Sequence, residues 1–223
     1  MNILITGAGR GIGLALARGA LNRGHAVVAT VRRIEDGAGL RTLGARIELY
    51  DAEDPVGADT LAHVLRDLAL DVLVNNAGVM GATEPLGAIT LANLRHVFEV
   101  DAAAPLLLTQ ALLANLRAGG AKRIVHVTSR MGSIGDNTSG GAYAYRAAKA
   151  ALNAVHMSLT RDLAGAGFVC VAMHPGWVRT AMGGSAAPLD TEAAAEQMLN
   201  TILALEGCDH GRFLGPDGSA IPW

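Results

Sequence analysis

Aromatic side chains are scarce in this chain: 3 Phe, 3 Tyr and 2 Trp make up 4% of 223 residues. A core must therefore be packed from aliphatic and alanine side chains, which suits one domain of this length. Cysteine is scarcer still. Cys170 and Cys208 lie far apart and show no ligand spacing, so no disulfide framework is expected, and reduced thiols in an intracellular, cytoplasmic setting fit. The seven histidines include no His-x-x-x-His pair, and no metal site is expected. Excess charge is also missing. Lys and Arg number 18 against 20 Asp and Glu, for a net charge of -2 without a block of one sign. That argues against nucleic acid or an anionic membrane as the main partner. No long apolar run is present either. The most apolar segment, 102–116, is broken by Pro105, Thr109, Gln110 and Asn115, too short and too polar for a membrane span. Residues 2–6 already read as a strand entering a glycine loop, so no signal peptide is expected in front of them.

Glycine and strand–helix alternation are what the chain does have. An apolar run at 2–6 leads into Gly7-Ala8-Gly9-Arg10-Gly11-Ile12-Gly13, and a helix pattern follows from Leu14 to Arg23, with Gly24 as its stop. A strand, a glycine loop and a helix start make a phosphate cradle: small residues admit a pyrophosphate to the backbone, and the helix N-terminus offers free N–H groups. The spacing is Thr6-Gly7-x-x-x-Gly11-x-Gly13, one residue longer than Gly-x-Gly-x-x-Gly, because Ile12 stands where the last glycine would be.

Strands are expected at 26–31, 46–50, 71–75, 123–128, 168–173 and 212–214, with helices at 55–69, 91–116 (kinked near Pro105), 144–163 and 191–205. Thr191 is the candidate cap of the last helix. The segment 182–190 suits a mobile lid. With no internal repeat and no linker, residues 1–223 read as a single α/β domain, doubly wound and Rossmann-type. It has a parallel sheet of about seven strands, helices on both faces, and ligands at the C-terminal strand ends. The end of the second strand reads Thr30-Val31-Arg32-Arg33, without the acid that would bind ribose hydroxyls. Together with Arg10, these arginines suit a 2′-phosphate and favour NADP(H) over NAD(H); solvated loop charges are the alternative.

The stretch from Ser129 to Lys149 carries the chemistry. Tyr145 and Lys149 are four apart, so on a helix they share a face. A free phenol ionises near pH ~10, and a neighbouring ammonium favours the phenolate. A serine delivered by the preceding strand can hold a carbonyl oxygen beside the phenol. That set can protonate a carbonyl oxygen or take a proton from an alcohol. Ser133 is a rival to Ser129, but it lies inside the loop, whereas a strand end is better fixed. Tyr143 is expected to be a pocket wall or packing residue.

Together these motifs resemble the short-chain dehydrogenase/reductase family over essentially the whole chain. They are Thr6-Gly7-x-x-x-Gly11-x-Gly13, Asn75-Asn76-Ala77-Gly78, Ser129, Tyr145-x-x-x-Lys149 and Pro175-Gly176-x-Val178-x-Thr180. The segment 129–145 and the ending Ile221-Pro222-Trp223 are similar to the C-factor-like carbonyl reductase branch. The resemblance implies that Tyr145 is the general acid-base, that Lys149 tunes it and binds the nicotinamide ribose, and that Ser129 orients the substrate. It also places Asn76, Ala77 and Gly78 on the adenosine side, Asp51 and Ala52 near the adenine, and Pro175, Gly176, Val178 and Thr180 at the carboxamide. Two departures stand out. The loop between Ser129 and Tyr145 is about three residues longer than the family's commonest form. Asp101 stands where the family has a catalytic asparagine, and a helix cap is its plain alternative.

The expected activity is NADP(H)-dependent reduction of an aldehyde or ketone to an alcohol. A cofactor-binding signalling protein with little turnover is the rival, and an alcohol dehydrogenase running in the oxidising direction is a third reading. Met80, Met131, Trp177 and Met182 are candidates for an apolar pocket wall or for plain core. The alanine-rich helices around 106–116 and 152–163 suggest a homodimer or homotetramer, with a monomer as the alternative.

Overall fold

Seven short runs rich in Val, Ile, Leu and Ala pair into one parallel sheet in the computed structural model, which describes residues 1–223. The strands are β1 (Asn2–Ile5), β2 (Ala26–Val31), β3 (Arg46–Leu49), β4 (Val72–Asn75), β5 (Arg123–Val127), β6 (Val169–Met173) and β7 (Arg212–Leu214). Their order is β3-β2-β1-β4-β5-β6-β7, so the winding reverses between β1 and β4. A ligand crevice belongs at such a reversal, outside the C-terminal strand ends.

Both faces of the sheet are apolar, and helices cover both. On one side α1 (Gly11–Asn22), α2 (Ala38–Thr42) and α8 (Thr191–Ala204) pack Leu16, Leu40, Met198 and Ile202 against Ile3, Ile5, Val125 and Val171. On the other, α3 (Gly57–Val64), α5 (Ala104–Ala111), α6 (Leu113–Ala118) and the end of α7 (Tyr143–Asp162) cover Leu4, Leu73, Ile124 and Cys170. Burying each such aliphatic side chain contributes roughly 1.5–3 kcal/mol, and small alanines let the helices approach closely. No helix is long and apolar enough to cross a membrane.

Four details depart from the sequence reading. The helix expected over 91–116 is broken: α4 (Leu91–Phe98), a π-turn (Glu99–Ala103), α5 and α6 follow one another. Pro105 has no N–H to offer the carbonyl four residues back, and the chain widens just before it, the Ala104 N–H reaching five residues back to the Glu99 carbonyl. Asp190, not Thr191, caps α8, its carboxylate accepting from the Ala193 N–H at 2.7 Å. The expected 55–69 helix shrinks to α3, and α2 was not anticipated. Finally, Leu108, Leu112, Leu116, Leu152 and Leu163 are buried within the monomer, whereas Leu107 of α5 is exposed. An apolar patch lies one helix earlier, where half-buried Leu94 and exposed Phe98 of α4 meet Ala144, Ala147 and Ala148 of α7.

Candidate active site

The loop after β1 is shaped by glycine. A Cβ at Gly13 would stand 2.4 Å from the Gly7 carbonyl oxygen and 2.5 Å from Asn76 Nδ2, so only glycine fits there. Gly7 itself has φ +66°. Thr6 fastens this loop to the end of β4: its hydroxyl accepts from the Asn76 and Ala77 N–H groups, each at 2.9 Å, and the Asn76 amide donates to the Thr6 carbonyl. The first turn of α1 carries no acid and no side-chain cap, which leaves its N–H groups free for an anion. This cradle fits the pyrophosphate of a nicotinamide dinucleotide.

The arginines beside the cradle are unequal. Arg33 is held by Asp36 at 2.8 Å and by Glu35 at 3.6 Å. That hydrogen bond holds the Asp36 carboxyl below its ordinary range, with the charges of Arg33, Arg32 and Arg10 assisting. Arg10 and Arg32 are exposed and enter no ion pair. Asp51 and Ala52 follow β3 at the same edge, the Asp51 carboxylate accepting from the Glu53 N–H.

The candidate catalytic residues gather near the ends of β4 and β5. Ser129 follows β5, and its Oγ accepts from the Met131 N–H at 3.1 Å. The 3-10 turn behind it presses on α7 so closely that a Cβ at Gly132 would meet the Lys149 backbone at 2.8 Å. Lys149 is buried, its Nζ donating to the Val127 carbonyl at 3.1 Å and standing 5.7 Å from the centre of the Tyr145 ring. Asp101 is fully buried in the π-turn. Its Oδ1 accepts from the Val79 N–H at 2.7 Å, and its Oδ2 lies 3.1 Å from Lys149 Nζ as an ion pair without hydrogen-bond alignment. Burial disfavours the Lys149 ammonium, but Asp101 and then Tyr145 outweigh it, and its pKa is raised. Gly78 sits against the pair; a Cβ there would be 3.2 Å from Asp101 Oδ1. Asp101 is therefore no helix cap; Thr90 caps α4.

A cleft of about 450 Å³ opens in front of Ser129 and Tyr145. Met80, Met131, Trp177 and Met182 all line it, as do Ile12, Pro175, Gly176, Val178 and Thr180. Gly11 faces Thr180, which brings the loop after β6 against the cradle. The 182–190 segment is tethered: Trp177 Nε1 donates to the Gly183 carbonyl at 2.8 Å, the Arg179 N–H to the Leu189 carbonyl at 2.7 Å, and Ala187 is buried. Ser133 donates to the Trp223 carbonyl at 2.9 Å and does not line the cleft. Tyr143 does not line it either, and its ring is partly exposed.

The sequence reading missed His174, Arg130 and Arg146, all in the cleft wall. A histidine directly before Pro175-Gly176, at a C-terminal strand end, was the available signal for the first.

These features agree with comparisons to known proteins. A family profile described as short chain dehydrogenase matches residues 1–189. The chain is 47% identical over 154 residues to "C-signal" of Myxococcus xanthus, covering 69% of this chain and 93% of that one. It superposes on carbonyl reductase Sniffer of D. melanogaster with TM-score 0.94 and 35% identity, covering 100% and 99% of the two chains. It superposes on NADPH-bound carbonyl reductase from chicken fatty liver with TM-score 0.90 and 30% identity, covering 100% and 98%. Sequence, sheet order and cradle thus converge, and the chain belongs to the short-chain dehydrogenase/reductase family, as an oxidoreductase acting on CH–OH or C=O groups with a nicotinamide cofactor.

Proposed function

We propose that the protein reversibly reduces an aldehyde or ketone to the alcohol with NADPH, Tyr145 being the general acid-base. The observation that carries this reading is the meeting of Ser129 and Tyr145 at one cleft, with Ile12 of the glycine loop in its wall and the buried Lys149, paired with Asp101, 5.7 Å from the centre of the Tyr145 ring. The cofactor, when bound, supplies the hydride. Ser129 Oγ donates a hydrogen bond to the carbonyl oxygen and fixes its place. The Tyr145 hydroxyl donates its proton to that oxygen as it gains charge, and takes one from the alcohol in the reverse direction. Lys149 stabilises the phenolate left behind, and Asp101 keeps the lysine charged and in place. The methionines and Trp177 keep water from the reacting carbonyl. In this reading Gly7, Gly9, Arg10, Gly11, Ile12 and Gly13 hold the pyrophosphate side. Asn76, Ala77 and Gly78 with Asp51 and Ala52 line the adenosine, and Pro175, Gly176, Val178 and Thr180 meet the carboxamide. Arg10 and Arg32, free of carboxylate partners, support NADP(H) over NAD(H). Likeness to carbonyl reductases, one of them NADPH-bound, supports substrate class and cofactor alike.

The test follows NADPH absorbance across aldehydes, ketones and quinones, for the wild type and Tyr145→Phe. Turnover should fall by ~10²–10⁴ in the variant while NADPH still binds. Undiminished turnover would mean that another group donates the proton. A second reading, a cofactor-binding signalling protein with little turnover, is favoured by the likeness to C-signal. Tight NADPH binding without turnover on any carbonyl would establish it. The α4–α7 apolar patch supports a homodimer or homotetramer. A monomer mass by light scattering at micromolar concentration would reject that.

A further inference from the structure

One buried face of α7 is polar, where a helix packed on a sheet normally presents an apolar stripe. Tyr145, Lys149, Asn153, His156 and Thr160 recur along it every three or four residues, and all five are buried. Tyr145 and Lys149 serve the site. His156 pairs with His126 at 3.0 Å between their Nδ1 atoms, and the Thr160 hydroxyl donates to the His156 carbonyl at 2.8 Å, so both find partners within the core. Asn153, one turn beyond Lys149, reaches back to the segment that carries Ser129. Its Nδ2 donates to the Gly132 carbonyl at 3.3 Å, and its Oδ1 accepts from the Thr128 hydroxyl at 2.8 Å. A carbonyl can only accept, which fixes the orientation of the amide.

These two bonds bracket Ser129. Thr128 precedes it, and Gly132 ends the 3-10 turn that follows it. That turn directs the serine: the Met131 N–H donates to Ser129 Oγ at 3.1 Å, and the Gly132 N–H to the Ser129 carbonyl at 2.8 Å. With Oγ accepting there, its own proton is left for an oxygen in the cleft that Ser129 and Tyr145 both line. Asn153 thus joins two parts of the site. It stands on the helix of Tyr145 and Lys149, and it holds the turn that aims Ser129. Arg146 also reaches this turn, donating to the Met131 carbonyl at 3.3 Å, but from a partly exposed position. Both Asn153 bonds are buried, where a polar group left unpaired is costly.

We propose that Asn153 is a positioning residue for the reduction: by tying Thr128 and Gly132 to α7, it fixes Ser129 Oγ relative to the Tyr145 hydroxyl, and so the place where the carbonyl oxygen meets both. The inference rests on the reductase reading given above. Asn153 does not line the cleft, so it acts through Ser129. Its effect is on geometry at the reacting carbonyl, where a misplacement on the order of 1 Å can cost about 100-fold in rate.

The test is a double-mutant cycle of Asn153→Ala and Ser129→Ala. The quantity is the single-turnover rate at which saturating 4-nitrobenzaldehyde, or the fastest substrate of the panel if that aldehyde is inert, oxidises bound NADPH. Asn153→Ala should lower this rate by about 10–100-fold on its own, and by less than about threefold once Ser129 is already alanine, because the group it positions is then gone. NADPH affinity should be unmoved. The basic limb of the pH profile for alcohol oxidation should also stay in place, since a neutral amide brings no charge to Lys149 or Tyr145. Thr128→Ser, which keeps the hydroxyl, should retain most of the rate, and Thr128→Val should lose part of it. That pair, crossed with Ser129→Ala, poses the same question if Asn153→Ala does not fold. An unmoved rate, or equal fold losses with and without the Ser129 hydroxyl, overturns the proposal and leaves the reductase reading standing. A wild type that reduces neither this aldehyde nor any other carbonyl of the panel defeats both.

Discussion

Replacing Asp101 by asparagine removes one negative charge and little volume, and the amide oxygen can still accept from the Val79 N–H. The carboxylate Oδ2 lies 3.1 Å from Lys149 Nζ, which lies 5.7 Å from the Tyr145 ring centre, so Oδ2 is at most 3.1 + 5.7 = 8.8 Å from that centre. At an effective dielectric of about 20, a unit charge at that distance is worth roughly 2 kcal/mol, a little over one pH unit. The carboxylate opposes formation of a second anion at Tyr145, so its loss should favour the phenolate. The basic limb of the pH profile for alcohol oxidation, measured with cofactor saturating, should move about one unit towards lower pH with activity kept. A competing effect runs the other way. Asp101 is the main group that keeps the buried Lys149 charged, and without it burial pushes the lysine towards its neutral form. An upward shift would mean that the lysine, not the phenol, had responded. An unmoved limb would mean that Asp101 and Tyr145 are not electrostatically coupled. Either result refutes the reasoning, and a collapse of activity would give the carboxylate a chemical part of its own.

Other outcomes follow from the same geometry. Arg32→Ala should weaken NADPH binding by about 10–100-fold, the worth of one charge-assisted bond, and change NADH binding little; equal effects in titrations would remove Arg32 from the phosphate site. Gly13→Ala forces a methyl against the Gly7 carbonyl and the Asn76 amide. It should cost about 1–3 kcal/mol in thermal unfolding and abolish tight cofactor binding, and a variant with wild-type Tm and affinity would contradict the cradle. His156 and His174 are pushed down from 6.5 to about 4, and His126 well below 6.5, in each case chiefly by burial. The unfolded chain therefore binds more protons than the native state below pH 6.5. Stability should be full above that value and fall between pH 6.5 and about 4, by on the order of 3 kcal/mol each for His156 and His174. A flat denaturation midpoint across that window would show that these rings are not buried neutral.

The fold was legible because each strand is a short apolar run closed by small or polar residues, and those endings carry the site. Ser129, Tyr145 and the four Met and Trp residues line one cleft, and Lys149 lies buried 5.7 Å from the Tyr145 ring centre. What the sequence left open depends on pairing in space. Arg32 and Arg33 are equivalent as letters, and only the turn at 34–37 shows that Asp36 occupies the second. Asp190 and Thr191 both suit a cap, and backbone geometry chose Asp190. Which leucines of 106–116 and 152–163 the sheet uses was not legible either: Leu108, Leu112, Leu116 and Leu152 are buried, and Leu107 is left exposed. His174 was overlooked because an imidazole becomes informative only once its nitrogens are seen to lack partners.

The π-turn at Glu99–Ala103 is, in effect, a one-residue insertion preserved inside a helix. Each residue of an α-helix advances the chain by about 100°, so deleting one residue from the turn would restore regular pairing while rotating everything upstream relative to everything downstream. A deletion at Ala102 would offer the backbone a more regular helix and swing Asp101 out of phase with either Lys149 or the Pro105 side of the sheet. The irregularity therefore works as a phase lock between α4 and α5. Single-residue deletions across 99–103 should be among the few changes in this chain that leave a foldable helix and still disconnect the lysine from its counterion.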